Sequence, residues 1–103
     1  MMKMAKLSRE QIELNLSKIP GWTLTDDASI QRKAAFGTFR EALEFVNQVG
    51  KFAEDAQHHP DIDIRYNQVK LRLTTHDENG LTGKDFALAQ KINGISLQKP
   101  KAI

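Results

Sequence analysis

The chain has 103 residues, room for one core and too little for two, since independent domains seldom run below about 50 residues and usually reach about 100. Hydrophobic residues at 40% and charged residues at 27% suit a soluble globular protein and argue against disorder or a fibrous repeat. The 15 Lys and Arg against 13 Asp and Glu leave a net charge of +2, interspersed along the chain and not gathered as a nucleic-acid surface requires, while the absence of cysteine excludes a disulfide framework, a thiol nucleophile and a thiolate metal site.

In chain order, Ser8-Arg9-Glu10-Gln11 has the spacing of a capping box, and Ile12, Leu16 and Ile19 then recur at helical intervals. Pro20-Gly21 ends this helix. Trp22 to Thr25 alternates as a strand does, residues 26 to 29 supply turn formers, and Ile30 to Phe36 returns as a second strand. Thr38 and Glu41 repeat the capping spacing ahead of a long amphipathic helix whose predicted stripe is Phe39, Leu43, Val46, Val49, Phe52, Ala53 and Ala56. It should end near Gln57, because His59 precedes a proline and is pushed out of the helical region. Ile62, Ile64 and Tyr66 then alternate with polar residues, as do Val69, Leu71 and Leu73, which predicts two half-buried strands. Thr82 can cap a last helix with Asp85 at its third position and Phe86, Ala89 and Ile92 on its apolar side, ending at Gly94.

The order α-β-β-α-β-β-α predicts an α+β fold, a four-stranded antiparallel sheet with the helices packed on its one apolar face. A single domain is expected over residues 1–103, its core spanning about 7–96, with Lys99-Pro100-Lys101 in a frayed tail. No apolar stretch approaches the roughly 20 residues that span a bilayer, and Met1 to Lys6 lacks the apolar stretch of a secretory signal. A cytoplasmic location is the expectation. With Asn67-Gln68 as a two-residue turn, Tyr66 faces Val69, Ile64 faces Leu71 and Ile62 faces Leu73, so every apolar residue meets another. This register sets His76 opposite His59 and Asp63 opposite Arg72; its blemish is Arg65 facing Lys70.

The side chains suited to proton transfer near neutral pH are His58, His59 and His76, and the predicted hairpin gathers all three at its open end. Each has an ordinary reading too: His58 and His59 as solvated residues at a helix C-terminus, where imidazolium suits the dipole, and His76 as a polar residue in a loop. Their convergence favours a site. A zinc site is a weaker option, because adjacent histidines tend to point apart and no HExxH or cysteine accompanies them. Trp22 and the phenylalanines fit apolar faces as core. Neither a phosphate loop nor a GxSxG elbow is present.

Glu54-Asp55-Ala56-Gln57-His58-His59-Pro60, Tyr66-Asn67-Gln68-Val69, Thr75-His76-Asp77 and Gly80-Leu81-Thr82 followed by Asp85 resemble the signature of the pterin-4a-carbinolamine dehydratases. The flanks agree at Leu7-Ser8-Arg9, Pro20-Gly21-Trp22 and Phe45-Val46, so the resemblance runs from about Leu7 to Ile92. It implies removal of water from 4a-hydroxytetrahydropterin to give quinonoid dihydropterin, which recycles the pterin of aromatic amino acid hydroxylases, without a metal or organic cofactor. It also implies a homodimer or homotetramer, while the interspersed charge and the short apolar stretches argue against nucleic acid and membrane as partners. Carried onto this sequence, His58 and His76 resemble the general acid/base pair, with the assignment of acid and base left open. His59, Pro60 and Asp85 resemble substrate-site residues: His59 orients the pterin, Pro60 fixes the extended backbone, and Asp85 supports the site. Glu54 is a more distant supporting acid. The alternative implied by relatives of this fold is a noncatalytic binding or assembly module, of the kind that serves as a dimerisation cofactor for a homeodomain transcription factor.

Overall fold

The computed structural model of the chain describes residues 5–26 and 28–96. The expected tail around Lys99-Pro100-Lys101 lies outside them. Three helices, α1 (Arg9–Leu16), α2 (Phe39–Ala56) and α3 (Gly83–Asn93), join four strands, β1 (Trp22–Thr25), β2 (Ser29–Ala35), β3 (Asp61–Arg65) and β4 (Gln68–Leu73). The strands form one antiparallel sheet in the order β1-β2-β4-β3, and a short 3₁₀ turn at His76–Glu78 leads from β4 to α3. This is the predicted α+β architecture in the predicted element order.

The three predicted caps form for a local reason, since each satisfies amide groups that the first helical turn leaves without partners. Ser8 Oγ accepts from the Gln11 amide at 3.2 Å, and Gln11 Oε1 accepts from the Ser8 amide at 2.9 Å. Thr38 Oγ1 accepts from the Glu41 amide at 3.1 Å. At its other end α2 stops at Gln57, which takes left-handed angles of φ 54 and ψ 44, and the His58 amide bonds back to the Ala53 carbonyl at 3.0 Å. That reversal turns the chain out of the helix just ahead of the two adjacent histidines.

Val69, Leu71 and Leu73 of β4 and Ile30 of β2 are buried on the helix-facing side of the sheet. Phe45, Val49, Phe86, Leu88 and Ile92 from α2 and α3 close the core over them. The first helix does not run on to Pro20-Gly21 as expected: α1 stops at Leu16 with Ser17 as its C-cap, and Ile19, though buried, lies in the turn that follows. Two further expectations need correction. The inward face of α2 is Ala42, Phe45, Val49 and Ala53; Phe39 and Leu43 remain 46% and 39% exposed, and Ala56 is exposed as well. The inward face takes in Ala42 and Phe45, which the predicted stripe left out, and leaves Phe39, Leu43 and Ala56 outside, so packing turned the helix toward Phe45 relative to that stripe.

The last correction concerns the β3–β4 register. The turn is Tyr66-Asn67, with Tyr66 at φ 55, so that Ile64 faces Val69, Ile62 faces Leu71 and Arg65 faces Gln68. The shift is by two positions, which keeps each side chain on its face and still sets apolar opposite apolar. It removes the Arg65–Lys70 clash and places Asp63 opposite Lys70 and Asp61 opposite Arg72. Tertiary contacts decide it: Phe36 donates its amide to the Asn67 carbonyl at 2.9 Å and accepts from Asn67 Nδ2 at 2.7 Å. His76 therefore does not face His59 in a ladder. Thr75 instead pairs with Gly80 in an isolated bridge, and His76 opens the 3₁₀ turn.

Candidate functional site

β3 begins just after His58-His59-Pro60 and β4 ends just before Thr75-His76, so the antiparallel pairing brings both segments to one end of the hairpin. The N-terminus of α3 adds Thr82 and Asp85. Asp85 is the centre of the arrangement. Its carboxylate is fully buried, and its Oδ2 accepts from the Thr82 amide at 3.0 Å and from the Thr75 hydroxyl at 2.8 Å. Its Oδ1 lies 2.6 Å from His58 Nε2. A carboxylate without solvent must be supplied with donors from the protein, and here a capping amide, a hydroxyl, an imidazole and the positive end of a helix supply them.

The His58 side chain is 10% exposed. Among the described residues its Nδ1 has no partner and no buried side-chain nitrogen or oxygen lacks one; the free nitrogen therefore reaches solvent. His59 points elsewhere, to Glu54 Oε2 at 2.5 Å, in a pair whose two side chains are both exposed. Adjacent histidines thus take separate carboxylates, one inside and one outside. Pro60 is half-buried between them and β3. His76 is exposed and sits one residue beyond Thr75, whose hydroxyl is bonded to Asp85.

The loop that carries His76 is tied down from several sides. The Thr75 amide bonds to the Gly80 carbonyl at 3.0 Å, the Asn79 amide returns to the His76 carbonyl at 3.1 Å, and the Leu7 amide bonds to the Leu81 carbonyl at 2.8 Å. Asn79 closes the turn at φ 54, a conformation asparagine tolerates better than most residues. Gly80 is buried under the Lys6 stem, where an added Cβ would lie 2.9 Å from Lys6 Cδ.

The structure brings Asp85 to His58 and Glu54 to His59 by direct contact, and Thr75 links His76 to the same cluster along the chain. Thr75 and Thr82 carried no chemical role in the sequence. Thr82 and Asp85 were legible as a capping pair, but nothing in the spacing showed that the capping carboxylate has a second oxygen aimed at His58. A polar cluster away from this site was not legible either. Arg32 is half-buried on the helix-facing side of β2, its guanidinium 5.9 Å from the Phe45 ring centre, and burial pushes its pKa below the ordinary value. Asn93 Oδ1 accepts from Arg32 Nη1 at 3.0 Å and from Trp22 Nε1 at 2.9 Å, which fastens the end of α3 to the sheet. Among the described residues no three His, Cys, Asp or Glu side chains are grouped as a metal site needs, and no helix is long and apolar enough to cross a membrane.

Chemically, the arrangement offers imidazoles with open nitrogens, one of them oriented by a buried carboxylate, as proton transfer near neutral pH requires. The family model for pterin 4 alpha carbinolamine dehydratase matches residues 5–95. A Thermomicrobium roseum protein provisionally named a pterin-4-alpha-carbinolamine dehydratase is 52% identical over 89 residues, covering 86% of this chain and 95% of its own. A Chloroflexus aggregans protein of the same provisional name is 50% identical over 92 residues, covering 89% and 98%. Among solved structures, a transcriptional coactivator/pterin dehydratase from Brucella melitensis superposes with a TM-score of 0.85 at 33% identity, covering 91% of this chain and 99% of that one. A pterin dehydratase-like protein identified as a RuBisCO assembly factor in the alpha-carboxysome shares the fold, with a TM-score of 0.63 at 18% identity over 79% of this chain and 93% of that one. From its matched span and the identity of its relatives, the chain belongs to the pterin-4-alpha-carbinolamine dehydratase family.

Proposed function

We propose that the chain is a hydro-lyase that removes water from 4a-hydroxytetrahydropterin and returns quinonoid dihydropterin, recycling the cofactor of an aromatic amino acid hydroxylase in the cytoplasm. The observation that carries the reading is His58, a nearly buried imidazole held at Nε2 by fully buried Asp85 and open to solvent at Nδ1. The family match and the names of the relatives support the same activity.

The C4a hydroxyl leaves only with a proton, and the N5 proton must depart for the C4a=N5 bond to form. One group donates a proton to the hydroxyl as the C4a–O bond breaks, water leaves, and a second group takes the N5 proton. His58 and His76 fill these roles, each having a ring nitrogen without a partner among the described residues. A histidine can be acid or base near neutral pH. His59, held by Glu54, orients the pterin ring, and Pro60 keeps the backbone extended so that the two adjacent histidines point apart. Asp85, which has no exposed surface, acts by holding His58.

A dehydration assay with freshly generated 4a-hydroxytetrahydropterin tests the reading. The wild type should shorten the lifetime of the carbinolamine well below the buffer control, and a folded protein with no effect on it refutes the activity. A second reading, a noncatalytic binding or assembly module, draws on the coactivator name of the Brucella melitensis relative and on the apolar flank of α2 that Phe39 and Leu43 leave exposed. The same flank, or the uncovered edge at β3 with Ile62 38% exposed, would hold the subunits of a homodimer or homotetramer.

A further inference from the structure

The geometry points to Thr75 as a positioning residue for proton transfer: through Asp85 it fixes the tautomer of His58, leaving Nδ1 as the nitrogen that exchanges a proton with substrate. The inference rests on the dehydratase reading only for its kinetic arm.

The argument is an inventory of protons. Thr82 Oγ1 accepts from the Lys84 amide at 3.2 Å and lies 2.9 Å from Thr75 Oγ1. Thr75 has one hydroxyl proton, and it is given to Asp85 Oδ2 at 2.8 Å. The proton between the two threonines therefore comes from Thr82, so the donors run in one direction, from Lys84 through Thr82 and Thr75 to Asp85. The Thr82 amide reaches the same Oδ2 at 3.0 Å. With two donors on Oδ2, the remaining acceptor capacity of the carboxylate faces His58 through Oδ1. A neutral imidazole facing that oxygen must carry its proton on Nε2, and Nδ1 is left as the acceptor. That is also the nitrogen at the surface.

The Thr75 hydroxyl is what holds the carboxylate plane against the rest of the fold, since without it Oδ2 keeps one donor, the Thr82 amide, and the only other contact among the described residues is His58, the ring to be positioned. Thr75 also precedes His76 directly, and its backbone closes the loop by pairing with Gly80. One residue thus sets the ring of His58 with its side chain and the place of His76 with its main chain. Because the second role belongs to the backbone, a β-branched replacement without the hydroxyl separates the two.

The test uses the full chain labelled with ¹⁵N at histidine, without substrate, at a pH where the rings are neutral. Long-range ¹H–¹⁵N spectra should show His58 as the Nε2–H tautomer in the wild type and in Thr75→Ser, and a mixture of tautomers in Thr75→Val. In the carbinolamine assay Thr75→Val should lose about 10-fold in kcat with KM within about twofold, and Thr75→Ser should stay near wild type. A wild-type His58 in the Nδ1–H form overturns the proposal, and so does a folded Thr75→Val with the wild-type tautomer. Equal losses in the serine and valine variants also overturn it, because packing and not the hydroxyl would then be responsible. If Thr75→Val does not fold, Thr75→Ala takes its place, with a mixture of tautomers expected and the wild-type tautomer overturning the proposal. A wild type with the expected tautomer and no activity on any pterin carbinolamine refutes the dehydratase reading and leaves the hydrogen-bond assignment standing.

Discussion

Both oxygens of Asp85 are engaged inside the fold, one by the Thr82 amide and the Thr75 hydroxyl and the other by His58. Removing the carboxylate would leave a buried hydroxyl, an amide and an imidazole without their acceptor. Asp85→Ala should therefore destabilise the protein by about 2 to 5 kcal/mol, since each buried donor left without an acceptor costs about 1 to 3 kcal/mol, which a shifted denaturation midpoint at constant slope would show. His58→Ala and His76→Ala should each lower the dehydration rate by about 10²-fold or more, with folding retained at His76 because that residue is exposed. His59→Ala should chiefly raise KM, since its ring lies at the surface against Glu54 and not in the buried pair. Steady-state kinetics on the carbinolamine separate these outcomes, and full activity in a folded His58→Ala/His76→Ala protein would eliminate the mechanism. At this scale the residue types were legible, because HHP and TH are local strings; the partner of each ring was not.

Helix starts obeyed local rules. Ser8, Thr38 and Thr82 all cap where their spacing to a residue three positions on foretold it, since a cap involves only neighbours in the chain. The stop at Gln57 was foreseen from Pro60, although the left-handed conformation that makes it was not. That conformation costs a non-glycine residue about 1 to 2 kcal/mol, whereas glycine adopts it freely at an entropic cost of roughly 0.5 to 1 kcal/mol. Gln57→Gly should thus stabilise the protein by a few tenths to about 1 kcal/mol and raise the thermal midpoint by a few degrees, measurable by calorimetry. An unchanged or lower midpoint would show that the Gln57 side chain, whose amide donates to the Glu54 carbonyl at 3.0 Å, compensates the strain. Strand register stood differently, because two registers two residues apart satisfy the same alternation.

For the whole molecule, β1 and β3 are the edge strands of the sheet among the described residues, and α2 leaves an apolar flank beside the core. A chain of this length has a modest core and no cystine, and association is the usual remedy. Sedimentation should show a dimer or larger species at micromolar concentration, and Leu43→Lys or Ile62→Lys should shift it toward monomer according to which surface is used. A wild type that stays monomeric at high micromolar concentration would refute the assembly. Neither substitution touches the histidines, so activity that falls with dissociation would mean that the subunits complete the site for one another.

Composition, caps and alternation, all properties of neighbours along the chain, were sufficient for the element order and the antiparallel sheet. They also placed three histidines at one end of a hairpin, because strand direction follows from a short turn. Folding alone decided which side of the α2 stripe turned inward, where the hairpin turned, and which oxygen met which ring. The contacts that settle these points join residues far apart in the chain, 27 positions for His58 and Asp85 and 31 for Asn67 and Phe36. A hydrogen bond depends on a few tenths of an ångström and on direction, and periodicity specifies only the face from which a side chain starts.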